Sequence, residues 1–198
     1  MNALHRIAAM SLALALAGMS GVAVAQDKWP SRPARIVMPF SPGGGTDIMG
    51  RLFAKRFTET LGQSFIAENR PGAGGLIGAE IVAKSAPDGY NILVTTASLS
   101  VNVNLHKKLA FDPLRDLAPV SWLTSVPLML VVHPSVPAHT PRELVALAKK
   151  RPGGMNAGTN GAGTTSHLAV EMLKQATGIE VTHIHYKGGG SAMIAMLA

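Results

Sequence analysis

The sequence contains no cysteine, few aromatic residues and no cluster of basic residues. Of its 198 residues, 0 are Cys and only 5% are Phe, Trp or Tyr. Without cysteine there is no lipid-attachment site and no disulfide framework, which excludes a lipoprotein and a disulfide-stapled scaffold. The formal net charge is +7, but the basic residues are scattered and a basic stripe with stacking aromatics is missing. We therefore expect no nucleic-acid partner, and the positive excess favours attraction of small anions.

Long hydrophobic runs are missing downstream of residues 1–25, which are typical of a secretory signal peptide. His5 and Arg6 form a short basic start, an apolar run follows, and an A-x-A-type cleavage site ends at Ala25. The run is shorter than the roughly 20 apolar residues that a membrane span needs. We therefore expect an exported protein that is cleaved after Ala25. With 47% hydrophobic and 15% charged residues, the mature chain should form a packed core.

Segments with strand and helix patterns alternate after the leader, which predicts an α/β fold with parallel strands. Strands are predicted over 35–40, 64–68, 91–96, 155–158 and 181–186, and helices over 47–61, 76–85 and 165–177. A further helix should begin at Thr140, which can form a capping box with Glu143. In the first helix, we expect one face to carry Met49, Leu52, Phe53 and Phe57.

The middle of the chain has the weakest pattern. Periodicity fades over 99–116, where we place the crossing between a first lobe, 26–100, and a second lobe, 101–198. The segment 117–133 is apolar enough to form one or two strands.

Two glycine-rich turns, 42–47 and 160–167, each lie between a predicted strand and a predicted helix. Converging backbone N–H groups and the positive end of a helix make such a turn a candidate anion site. The first turn lacks the Lys of a phosphate loop and the third Gly of a dinucleotide fingerprint, so nucleotide binding is not expected. A bare turn and a simple helix cap are the alternatives.

Catalytic and metal-binding patterns are weak. Ser166 and His167 could serve an exported hydrolase, but adjacent residues cannot easily pair as nucleophile and base, and there is no G-x-S-x-G motif. His183 and His185 alternate along a strand and could share a metal, yet no third ligand lies at a telling spacing. We expect no catalytic residue, no metal site and no cofactor.

Several motifs occur in a characteristic order along the chain. They are Ser31-Arg32-Pro33, Pro42-Gly43-Gly44-Gly45-Thr46-Asp47, Glu68-Asn69-Arg70-Pro71-Gly72-Ala73-Gly74-Gly75, Pro87-Asp88-Gly89-Tyr90, Gly161-Ala162-Gly163-Thr164-Thr165-Ser166-His167-Leu168 and Tyr186-Lys187-Gly188-Gly189. Together they closely resemble the substrate-binding receptors of tripartite tricarboxylate transporters, also called the Bug family. The resemblance spans nearly all of the mature chain.

The resemblance implies a bilobed α/β fold of the periplasmic binding protein type II-like architecture. It also implies a periplasmic receptor, not an enzyme, that captures a small carboxylate between its lobes and passes it to membrane permease subunits. The implied ligand-binding residues are Phe40, Pro42, Gly43, Gly44, Asp47, Ala73, Gly74, Ala97, Ser98, Gly163, Thr164, Thr165, Ser166 and His167. Among these, Asp47 is expected to cap its helix, because its charge would repel a carboxylate.

Family members continue well beyond residue 198, so the resemblance also implies an apparently truncated chain with an incomplete second half. We expect a monomer when the protein is complete. The alternatives to a receptor are the exported hydrolase using Ser166 and His167, and a non-functional truncated remnant of the receptor.

Overall fold

The computed structural model describes residues 28–106 and 108–198. The chain divides into an N-terminal unit, Met1–Ser31, and a unit of Arg32–Ala198 that carries the helices and strands given below. The predicted signal peptide, 1–25, and its cleavage site after Ala25 lie outside the described residues. No helix in the described part of the chain is both long enough and apolar enough to cross a membrane.

Two parallel sheets organise the second unit. The first has the order β2-β1-β3, with β1 paired in parallel to both neighbours, and the second has the parallel pair β4-β5. The strands are β1 Ala34–Met38, β2 Phe65–Asn69, β3 Asn91–Leu93, β4 Asn156–Thr159 and β5 Thr182–His185. The helices are α1 Gly45–Leu61, α2 Leu76–Ala83, α3 Ser98–Leu105, α4 Pro141–Lys150, α5 Thr165–Thr177 and α6 Gly189–Leu197, with a 3₁₀ turn at Ala73–Gly75. The predicted α/β class is confirmed, while the lobe boundaries at 26–100 and 101–198 stay a prediction.

The central strand β1 forms the core of the first sheet. Ile36, Val37 and Met38 have no exposed surface, as expected for a parallel strand that is flanked by strands and covered on its faces. Helix α1 packs closely here, because Gly50 lies where a Cβ would come within 2.4 Å of Met38 Sδ. A glycine at this position therefore sets the distance between helix and sheet.

The predicted apolar face of α1 is only partly right. Phe53 and Phe57 pack against the core, and Phe57 makes an edge contact with Phe65 at a ring-centroid distance of 5.3 Å. Leu52, in contrast, is 56% exposed and does not share the packed surface of Phe53 and Phe57. The helix turns its small residues Gly50 and Ala54 toward the sheet, which leaves Leu52 outside the contact.

The middle of the chain differs most from expectation. Residues 98–105 form α3, where the weak periodicity had predicted an irregular crossing. In the apolar segment 117–133 the structure has no strand, and Val120 and Trp122 are 92% and 84% exposed. A strand requires a partner for its backbone groups, and neither sheet of the described chain pairs with this segment. Apolar composition alone therefore misled the prediction.

Helix boundaries with local signals are predicted well. Gly62 ends α1 in the left-handed conformation at φ 74°, and the Thr140 side chain accepts a hydrogen bond from the Glu143 N–H at the start of α4. The Glu143 carboxylate accepts from the His139 N–H at 2.6 Å, one residue before the expected partner of a capping box. These local signals fix where the helices begin and end without reference to the rest of the fold.

Candidate functional site

The loops that follow β1, β2, β4 and β5 surround a cavity of about 230 Å³. Because the strands of each sheet are parallel, the loops that follow them emerge at the same edge, where ligands bind in open α/β sheets. The first sheet contributes Phe40, Gly72, Ala73, Gly74 and Gly75, and the second contributes Asn160, Gly161, Ala162, His185, Tyr186 and Lys187. Three of the predicted site residues, Phe40, Ala73 and Gly74, thus line the cavity.

The first glycine-rich turn is braced from inside by Asp47. One carboxylate oxygen accepts from the Gly43 N–H at 3.0 Å, and the other accepts from Arg51 Nε at 3.0 Å and Asn69 Nδ2 at 2.9 Å. Burial by itself would raise the pKa of Asp47, but the bonds from Arg51, Gly43 and Asn69 hold that pKa below its ordinary value. The carboxylate is therefore engaged in shaping the turn.

The same turn is also covered by the beginning of α6. The Ser41 N–H donates to the Lys187 carbonyl at 2.8 Å, and a Cβ on Gly190 would lie 2.0 Å from the Pro42 carbonyl oxygen. The loop residues Pro42, Gly43 and Gly44 consequently lie against α6 and do not line the cavity. Of the loop after β1, only Phe40 is among the described lining residues.

The loop after β2 has an unusual backbone at the cavity. Ala73 has φ 47°, the only non-glycine residue with positive φ in the described chain, and Gly74 follows with φ 62°. A side chain is disfavoured in this region of backbone conformation, and such residues concentrate at functional sites. The strain supports a functional reading of this loop.

A buried asparagine, Asn102 on α3, ties the two sheets together beside the cavity. Its Nδ2 atom lies 3.2 Å from the Gly74 carbonyl, 3.0 Å from the Ser98 carbonyl and 3.0 Å from the Gly163 carbonyl. The Ser98 hydroxyl adds a second tie by accepting from the Thr165 N–H at 3.2 Å. Gly163 and Ser98, predicted as ligand contacts, thus lie in the junction between the sheets.

The remaining predicted residues of the second turn begin α5. Thr164 is buried, and its hydroxyl donates to the Gly161 carbonyl at 2.7 Å and caps the helix through the His167 N–H. Ser166 Oγ accepts from the Asn160 N–H at 2.9 Å. Within the described chain, no hydrogen bond joins Ser166 to His167, so the pair lacks the geometry of a nucleophile and its base. Ala97, the remaining predicted residue, precedes α3 and is exposed.

A histidine cluster, His167, His183 and His185, lies between α5 and β5. The ring centroid of His167 lies 4.7 Å from that of His183 and 4.9 Å from that of His185. The His183 Nε2 atom lies 2.5 Å from Glu171 Oε1, and Thr159 Oγ1 lies 2.7 Å from His185 Nδ1. Burial, followed by the neighbouring His183 and His185, lowers the pKa of His167.

A metal at this cluster would meet an obstacle in the His167 ring. One ligand atom each from His167, Glu171 and His183 lies within 4.8 Å of the other two. However, the Gly163 N–H donates to His167 Nδ1 at 3.1 Å, which leaves the proton of the neutral ring on Nε2. A ligating imidazole instead has its second nitrogen donating to an acceptor. We therefore assign no metal ligands here.

Sequence reasoning missed the contribution of β5 to the cavity. His185, Tyr186 and Lys187 line it, together with Asn160 at the end of β4. The signal was available, because Tyr186 and Lys187 belong to one of the recognised motifs and follow a predicted strand. Only the parallel pairing of β4 with β5 brings this loop beside the other three. Asn102 had no comparable signal, since its helix was not predicted.

The fold and this arrangement of loops match a known family. Residues 49–198 match the model of the family described as "Tripartite tricarboxylate transporter family receptor". The chain belongs to this family. The recognition made from the sequence motifs is thereby confirmed.

Curated relatives extend over most of the chain. It is 38% identical to the protein BugT of Bordetella pertussis over an alignment of 199 positions, which covers 100% of this chain and 61% of BugT. A UPF0065 protein in the gbd 5' region of Cupriavidus necator is 40% identical over 191 residues, covering 96% of this chain and 58% of the relative. The chain thus spans about three fifths of the length of these relatives.

Solved structures agree with the fold. Rpa4515 of R. palustris with adipate superposes with a TM-score of 0.82 at 37% identity, over 85% of this chain and 56% of that one. MatC of Rhodopseudomonas palustris with bound malate gives 0.79 at 32% identity, over 85% and 57%. The periplasmic binding protein BugD gives 0.75 at 34% identity, over 85% and 56%. The predicted periplasmic-binding-protein fold, matched over part of its length, is confirmed.

Proposed function

We propose that this protein is a periplasmic substrate-binding receptor that captures a small carboxylate and delivers it to the permease of a tripartite tricarboxylate-type transporter. Membership of the receptor family supports the binding role, and the relatives solved with adipate and malate support a small carboxylate ligand. The proposal includes export with cleavage after Ala25, and binding without catalysis or an organic cofactor.

The charge of the cavity carries this proposal. Its lining includes Lys187 and His185, and none of the described lining residues is an Asp or a Glu. Its other walls are largely glycine-rich backbone, which lets a ligand approach peptide N–H groups closely. A cavity with a lysine, a backbone that a ligand can approach closely and no Asp or Glu among its described lining residues favours an anion over a neutral solute.

The predicted site residues then take two roles. Phe40, Ala73 and Gly74 would contact the ligand, because they line the cavity. The others would hold the loops in place, through the contacts described above for Asp47, Ser98 and Thr164. Lys187, which was not among the predicted ligand-binding residues, would pair with a ligand carboxylate.

Titration calorimetry with the 198-residue chain tests the proposal. The panel contains dicarboxylates of four to six carbons, a tricarboxylate, the diamides of the same acids and a neutral sugar. We expect binding of at least one acid and none of its diamide. The Lys187→Gln variant should bind that acid at least about tenfold more weakly, which corresponds to a lost charge-assisted hydrogen bond.

Lys55→Gln is the matched control, since Lys55 is an exposed lysine on α1. It removes the same charge from the protein and should leave the affinity unchanged. Binding of a neutral solute with no response to any acid would contradict the proposed function. Equal losses in both lysine variants would instead assign the effect to overall charge and remove Lys187 from the site.

A further inference from the structure

His167 connects the histidine cluster to the second glycine-rich loop. Its Nδ1 atom accepts a hydrogen bond from the Gly163 N–H at 3.1 Å. A ring nitrogen can accept only while it carries no proton, so this bond exists only with neutral His167. Protonation of Nδ1 would place two N–H groups against each other at that distance.

The surroundings of His167 also oppose a positive charge. From β5, His183 and His185 contact the ring, and conversion of more than one of the three rings to the imidazolium form would place like charges about 5 Å apart. On its own helix, Lys174 adds another positive charge, while the carboxylate of Glu171 acts in the opposite direction. Glu171 is already bonded to Lys174 Nζ at 2.8 Å and to His183, which reduces its capacity to compensate.

The carbonyl of Gly163 is linked to the cavity wall through Asn102. Its carbonyl accepts from Asn102 Nδ2, which also lies 3.2 Å from the carbonyl of the cavity-lining Gly74. Its N–H and C=O therefore connect the imidazole of His167 to the junction between the two sheets. A change at the N–H can alter the position of the loop that forms one wall of the candidate site.

We propose that protonation of His167 breaks its bond to Gly163 and loosens the second glycine-rich loop, so that the receptor binds its ligand more weakly in acid. This inference rests on the proposed function. Because the lowered pKa of His167 delays proton uptake, the effect belongs below the ordinary histidine range near pH 6.5. Linkage to a single proton limits the loss to about tenfold per pH unit.

The test compares wild type with His167→Asn between pH 7.5 and 5. The Asn Oδ1 atom can occupy the position of Nδ1 and accept from Gly163, but it does not titrate. With the best acid from the calorimetric panel, we expect wild-type affinity to fall about threefold to tenfold across this range. Protonation of the ligand is common to all variants, so the loss of affinity between the two pH values should be about threefold to tenfold smaller for His167→Asn than for wild type. His106→Asn, which changes an exposed histidine, should keep the wild-type loss.

A second readout does not depend on the ligand. In ¹⁵N-resolved NMR of the ligand-free chain, the Gly163 amide signal should shift with the titration of the His167 ring in wild type. The protection factor of that amide against hydrogen exchange, corrected for the intrinsic pH dependence of exchange, should fall over the same pH range. A failure of every acid to bind, with these changes present, would contradict the proposed function alone. A Gly163 amide signal that does not change as His167 titrates, or a His167→Asn variant that loses as much affinity in acid as wild type, would contradict the proposed effect of His167 protonation.

Discussion

At the scale of single residues, Asp47 shows how a charged group can serve a binding loop without facing the ligand. The residue is 6% exposed and its two carboxylate oxygens bond to Gly43, Arg51 and Asn69. A buried carboxylate of this kind is stable because its charge is paired and its oxygens are hydrogen-bonded. The residue therefore belongs to the frame of the first turn.

Replacing Asp47 with Asn should lower stability at neutral pH by about 1–3 kcal/mol, since hydrogen bonds to a charged group are lost. The folded pKa is lowered, so the carboxylate contributes stability above its unfolded pKa near 4, and that contribution is lost as pH falls through the folded pKa. The difference between wild type and Asp47→Asn should therefore shrink as pH falls below about 4. Urea unfolding at several pH values measures it.

Glu59→Gln provides the comparison for this experiment, because Glu59 is an exposed acid on the same helix. Its effect should stay within about 0.5 kcal/mol at neutral pH. A constant difference between wild type and Asp47→Asn from pH 7 to pH 2 would show that charge plays no part in the stability of the turn.

At the scale of elements, the loops after parallel strands determine the site through their close approach. Gly74, after β2, lies where a Cβ would come within 2.4 Å of the Ala162 carbonyl in the loop after β4. The two sheets can approach this closely only with glycine at that position. The glycine-rich character of the motif thus has a steric cause in addition to any contact with a ligand.

Gly74→Ala should destabilise the protein more than Gly62→Ala does. Both residues have positive φ, at 62° and 74°, so both substitutions carry a similar backbone cost of about 1 kcal/mol. A Cβ at Gly62 meets nothing within 4 Å, whereas one at Gly74 meets a backbone oxygen. Overpacking there should add about 1–3 kcal/mol, measured by chemical unfolding, and should weaken acid binding in calorimetry. Equal losses in the two variants would mean that the loops separate without cost.

At the scale of the whole molecule, a buried amide is one of the groups that hold the junction between the two sheets. Asn102 is 1% exposed and its Nδ2 atom is shared among carbonyls from α3, the loop after β2 and the loop after β4. Buried carbonyls without a donor are costly, so this side chain couples the position of one sheet to that of the other. The cavity lies beside this junction.

Asn102→Leu should lower stability by about 1–3 kcal/mol, because an apolar side chain with the same branching cannot donate to the buried carbonyls that Asn102 serves. Asn104→Leu is the matched control on the same helix. Asn104 is exposed and bonds only to the Ser100 carbonyl, at 2.8 Å, in the hydrogen bonds described. Thermal unfolding should show a large decrease for Asn102→Leu and little change for Asn104→Leu. An Asn102→Leu variant as stable as wild type would show that the junction is held by other contacts.

The sequence by itself determined most of the local structure. Glycine at the end of α1, the Thr140 cap of α4 and the apolar run of β1 are local signals that act through neighbouring residues, and each is confirmed. The ordered motifs also identified the family, because residue types at fixed spacing can be recognised without any knowledge of the fold. The glycine-rich turns were found for the same reason.

The tertiary structure decided what those elements do. Apolar composition predicted strands over 117–133, but a strand needs a partner, and pairing is settled only when the sheets assemble. Lys187 and His185 reach the cavity because β5 pairs in parallel with β4, and Asn102 joins loops that are distant in sequence. Asp47 and Ser98 bond to protein groups because the folded chain places hydrogen-bond partners beside them. Local patterns fix the elements, whereas contacts between residues far apart in the chain fix the walls of the site.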